Sequence, residues 1–101
     1  MIRHIVAVTH KEGFTVEEKK EHAEKIKMLL ESLKGRIDGI IEFTVHIELL
    51  NTSGRDIVFD SLFENQHALE AYQIHPAHIE AAEYVRSVVK DRICLDYEIG
   101  S

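Results

Sequence analysis

Apolar spacings of two residues and of three to four alternate along this chain in the order β-α-β-β-α-β, which predicts an α+β domain. Three observations carry that reading. Ile2 to Thr9 is rich in β-branched residues and apolar on both faces, so both sides of this strand must be covered. Ile40 to Leu50 alternates cleanly, with Ile41, Phe43, Val45, Ile47 and Leu49 on one face and Glu42, Thr44, His46 and Glu48 on the other. The single proline, Pro76, divides the last helical stretch in two.

The elements follow in order. Strand one holds Ile2, His4, Val6 and Val8 at even positions, with Ile5 and Ala7 between them. After a loop, Thr15-Val16-Glu17-Glu18 forms a capping box, hydroxyl at the N-cap and carboxylate three residues on. The helix it opens places Val16, Ala23, Ile26, Leu30 and Leu33 on one stripe, and Gly35 is its expected C-cap. Strand two is Ile40 to Leu50. Asn51-Thr52-Ser53-Gly54 is turn chemistry, and a strand from Asp56 to Phe63 completes a hairpin. Asn65 caps a short helix bearing Ala68, Leu69 and Tyr72. Pro76 ends it and opens the next, whose stripe is His78, Ala81, Ala82, Val85, Val88 and Val89. Arg92 to Ile99 is the last strand, with Ile93, Leu95, Tyr97 and Ile99 facing one way and Cys94 the other.

With right-handed crossovers this order becomes a ferredoxin-like βαββαβ protomer, a four-stranded antiparallel sheet with its helices on one face. The uncovered sheet face would be a larger apolar surface than soluble monomers expose, so a homodimer through the sheet faces, a dimeric α+β barrel, is expected.

Composition narrows the function. The chain of 101 residues has room for one domain, residues 1–101. Its net charge of −6, with no basic run, argues against nucleic acid. No stretch is long and apolar enough to predict a membrane span or a signal segment, and one cysteine forms no internal disulfide, so a cytoplasmic location is expected. His75 and His78 share a His-x-x-His spacing but lack further ligands close in sequence, so neither a metal nor a cofactor is expected. His75 reads instead as an N-cap or turn residue, Cys94 as a buried, inert thiol, and His10, His22 and His67 as loop or surface residues.

His4-Ile5-Val6, taken with Ala68-Leu69-Glu70-Ala71-Tyr72-Gln73-Ile74-His75-Pro76-Ala77-His78, resembles the stress-responsive dimeric α/β-barrel (Dabb) family. Asp56 leading an apolar strand, Phe63 before the short helix and the closing Asp96-Tyr97 extend the likeness over nearly the whole chain. Tyr-x-x-His-Pro-x-His is its most specific part. The resemblance implies a cavity, and its likeness to polyketide cyclases of the olivetolic acid type implies that Tyr72 and His78 are a catalytic pair and that His4 lines the pocket. Such a pair has suitable chemistry. A neutral imidazole takes a proton from carbon beside a carbonyl, and a phenol donates to the enolate oxygen. The alternative for each is structural: Tyr72 and His78 as packing residues, His4 as an interface histidine bonded across a dimer or to backbone.

Three functions follow as expectations. The first is binding of a small apolar or aromatic molecule in a cavity between sheet and helices, lined by His4, Val6, Val8, Phe43, Phe59 and Tyr97. The second is a cofactor-free cyclase, isomerase or lyase using His78 as general base and Tyr72 as proton donor. The third is a structural dimer whose pocket is filled by its own side chains.

Overall fold

The computed structural model describes residues 1–100. β1 (Ile2–His10), β2 (Ile40–His46), β3 (Ile57–Phe63) and β4 (Val89–Glu98) form one antiparallel sheet in the order β2-β3-β1-β4. α1 (Val16–Glu31) connects β1 to β2, while α2 (Gln66–Ile74) and α3 (Pro76–Val88) connect β3 to β4. This is the ferredoxin-like arrangement, and its core follows from strand alternation. Val6 and Val8 of β1, Phe43 and Val45 of β2, and Ile57, Phe59 and Phe63 of β3 are buried with Ile26, Leu30, Leu69, Tyr72, Ala81 and Val85 of the helices.

The capping box opens α1: Glu18 N–H donates to Thr15 Oγ1 at 3.1 Å and Thr15 N–H to Glu18 Oε1 at 2.9 Å. Two expectations about α1 are corrected. Val16, in its first turn, is 83% exposed, so the buried stripe begins only at Ala23. The helix ends at Ser32 and tightens into a 3₁₀ turn, Ser32–Gly35, so Gly35 closes that turn rather than α1. Near its C-terminal end α1 protects the sheet's β2 edge. Lys27 Nζ donates to the Val45 carbonyl at 2.8 Å, and Glu31 Oε2 accepts the Val45 N–H at 2.9 Å. Both free backbone groups of an edge residue are thereby satisfied.

β2 is shorter than its alternation predicts. It stops at His46, and a register shift between Ile40 and Glu42 buries Ile40 and leaves Ile41 half-exposed. β4 begins three residues earlier than expected, at Val89, directly after α3. It carries its own irregularity. The register with β1 shifts between Ala7 and Thr9, and Asp91 takes φ +52°. A residue in that left-handed conformation re-aims the strand around it.

The open sheet face is also corrected. It is divided rather than uniformly apolar. Ile93, Leu95 and Tyr97 of β4 are exposed and lie beside Ala7, Ile5 and Arg3 of β1 in register. Towards β2 the face turns polar, where Arg3 pairs with Asp60 at 3.0 Å and Glu42 at 3.4 Å.

Candidate functional site

α2 and α3 meet at a bend set by three neighbouring residues. His75 sits in an extended conformation, ends α2, and its Nδ1 accepts the Ala77 N–H at 3.0 Å as N-cap of α3. Pro76 occupies the first turn of α3, where its missing N–H leaves nothing unpaired. On one straight helix, residues six apart would diverge. The bend instead brings Tyr72 and His78 together, ring centroids 4.2 Å apart and 39° between planes.

His78 is half-buried. Its Nδ1 lies 3.2 Å from the Gln73 carbonyl, and a proton donated there leaves the lone pair on Nε2. Burial pushes this imidazole below its ordinary range; the charges of Arg86 and Arg92 add to the effect and the Gln73 bond opposes it. The group is therefore neutral at pH 7. Tyr72 is 3% exposed, and burial raises its phenol well above the usual range, so it keeps its proton.

A second polar group stands on the sheet. His4, buried on β1, lies opposite Asp96 of β4, and His4 Nδ1 is hydrogen-bonded to Asp96 Oδ1. The carboxylate orients the ring and leaves Nε2 as the second nitrogen. Cys94 Sγ is 3.7 Å from His4 Nδ1 and 3.6 Å from Asp96 Oδ2; burial, then Asp96, raises the thiol. These three side chains offer nitrogen, sulfur and oxygen within 4.8 Å of one another, a donor set that suits zinc. The His4 ring also stands edge-on to Tyr72, centroids 6.3 Å apart.

His4, Tyr72 and His78 converge on one cavity of about 370 Å³ between sheet and helices. Val6, Val8, Phe43 and Phe59 line its walls, with Leu30, Ala82 and Val85 from the helices. Seven of the eight site residues anticipated from the sequence thus share one cavity. Tyr97 does not. Strand alternation sends it with Leu95 to the open face, half exposed, while Cys94 and Asp96 point inward.

The sequence reading missed Asp96 as the partner of His4, although both occupy inward positions once β1 and β4 are paired. It also missed the cavity mouth, formed by Arg86, Lys90, Asp91 and Arg92. Three consecutive residues of a regular strand cannot share one side. Alternation already sets Arg92 on the inner side with Cys94 and Asp96; the left-handed Asp91 is what brings Lys90 and Asp91 to the same cavity, and the sequence pattern gives no sign of that.

A family model described as the stress responsive A/B barrel domain matches residues 2–99. No curated protein matches the chain. Among solved structures, a dimeric protein of unknown function with a ferredoxin-like fold from Bacteroides fragilis is 28% identical, with TM-score 0.89 over 97% of this chain and 95% of that one. A Dabb family protein with a ferredoxin-like fold from Mesorhizobium loti is 24% identical, with TM-score 0.75 over 99% and 97%. A hydroxynitrile lyase from Passiflora edulis shares the fold at 16% identity, with TM-score 0.75 over 98% and 93%.

Proposed function

Because the chain belongs to the stress-responsive A/B barrel (Dabb) family, we propose that it forms a homodimer whose protomers each bind a small, mostly apolar molecule in the cavity between sheet and helices. The observation that carries this reading is the cavity itself. Side chains have not filled it, its walls are apolar, and three hydrogen-bonding rings face it from different elements. A few fixed polar groups in an apolar recess is the usual composition of a small-molecule site. Dimerisation is supported by the exposed Ile93, Leu95 and Tyr97 and by the dimeric Bacteroides fragilis neighbour.

A specific observation favours a catalytic version. His78 is held neutral with Nε2 available, and Tyr72 beside it is held protonated. A ketone in the cavity could lose an α-proton to His78 while Tyr72 stabilises the enolate oxygen. His4, oriented by Asp96, would position the same substrate from the sheet. Aldol cyclisation, isomerisation and the β-eliminations of a lyase can each proceed from such an enolate.

Thermal melting with 2-acetonaphthone tests the binding reading. Near one hundred times its dissociation constant, a ligand of the native state adds about 2.7 kcal/mol, a rise of several degrees for a domain of this size. Ala82→Trp, which fills the cavity from α3, should melt as an intact fold yet lose the rise. A wild type that ignores this and related aryl ketones, or an Ala82→Trp variant that still responds, removes the cavity from the account.

A further inference from the structure

The cavity mouth carries positive charge in a chain that is otherwise acidic. Lys and Arg number twelve against eighteen Asp and Glu, yet three of the twelve, Arg86, Lys90 and Arg92, line this one cavity against a single carboxylate, Asp91. Lys90 is already committed, its Nζ 2.7 Å from Glu12 Oε1 and 4.0 Å from Asp91 Oδ2. Arg86 and Arg92 form no ion pair among the described residues. They reach the cavity from different elements. Arg86 comes from the last turn of α3, and Arg92 comes from β4, on the same side of the strand as Cys94 and Asp96 and next to Asp91, whose carbonyl accepts a bond from Arg55 Nε at 2.8 Å.

Two guanidiniums with no carboxylate partner among the described residues, that of Arg92 lying beside the Cys94 thiol, border an apolar recess and are matched by one kind of ligand. We propose that the molecule bound here is an amphipathic anion, an aryl or acyl carboxylate whose apolar body lies among Val6, Val8, Phe43 and Phe59 and whose carboxylate meets Arg86 and Arg92 at the mouth. The planar guanidinium matches a carboxylate in two parallel hydrogen bonds, which an ammonium does not. A bound carboxylate would set its negative charge against both arginines and neutralise the mouth. This inference rests on the cavity being a binding site and adds the class of ligand.

The test compares 2-naphthoate with 2-naphthamide, equal in shape and different in charge, by isothermal titration of the wild type and of the Arg86→Gln, Arg92→Gln double variant. Both arginines are exposed, so the variant should melt near the wild-type temperature without ligand. The wild type should bind the naphthoate about tenfold more tightly than the amide, a preference that shrinks as salt rises. In the double variant the two should bind alike. Equal affinities in the wild type, or a preference that survives the double substitution, overturn the anion assignment and leave the cavity in place. Failure of both probes to bind the wild type overturns the binding reading and this inference together.

Discussion

His78 concentrates the chemistry of the site in one ring. Burial holds its folded pKa below the 6.5 of a free imidazole, so the unfolded chain binds the proton more readily. Stability should be independent of this group above pH 6.5 and fall as pH drops through 6.5 towards the folded value. His10 is also lowered by burial and contributes a parallel loss. His78→Gln should therefore flatten, without abolishing, the decline of melting temperature between about pH 7 and pH 5. The same residue decides the catalytic version of the proposal. With 2-acetonaphthone in deuterated water, wild type should speed exchange of the methyl protons, and His78→Gln should lose a factor of about 10²–10⁴. An equal acid slope in wild type and variant would show that His78 is not held neutral; equal exchange rates would leave it a packing residue.

At the scale of elements, irregular backbone positions fix the site more than helices and strands do. The α2–α3 bend was legible because proline and a capping residue announce it, and with it the meeting of Tyr72 and His78. The two register shifts were not. An alternating pattern is the same with or without an extra residue, so Ile41 was placed with Phe43, and the arrival of Lys90 and Asp91 at the cavity beside Arg92 went unseen. The pairing of His4 with Asp96 lies between these cases, since it needs only the strand order and the register. Gly39, just before β2, marks a third fixed point. It takes φ +91°, and a Cβ there would lie 2.6 Å from Ala68 Cβ on α2. Gly39→Ala should cost about 2–3 kcal/mol, combining left-handed strain with a clash that neither backbone can easily relieve. Chemical denaturation measures it directly. A loss under about 0.5 kcal/mol, the size of an ordinary surface substitution, would contradict the close approach of α2 to β2.

At the scale of the molecule, the two faces of the sheet have separate tasks. The inner face builds core and cavity. In the proposed dimer the outer face would offer Ile93, Leu95 and Tyr97 to a second copy, and its Arg3, Asp60 and Glu42 cluster would restrict how that copy aligns. The fold class was readable because element order alone selects it. The extent of the apolar face was read only in part: alternation already gave β2 a polar side, but Arg3 and Asp60 join Glu42 there only once the register is set. Leu95 is 58% exposed, so Leu95→Glu should leave the protomer folded and shift the mass in solution from dimer to monomer. An unchanged mass would move the interface elsewhere.

The most direct test of the binding claim is a backbone amide NMR titration with 2-naphthamide, which carries no charge to draw it to the cavity mouth. Shifts should concentrate at Val6, Val8, Phe43, Phe59, Tyr72 and His78, along the inner face of the sheet and the α2–α3 bend. Shifts confined to Ile93, Leu95 and Tyr97, or none at a concentration that saturates comparable apolar sites, would mean that this cavity is not where the protein binds.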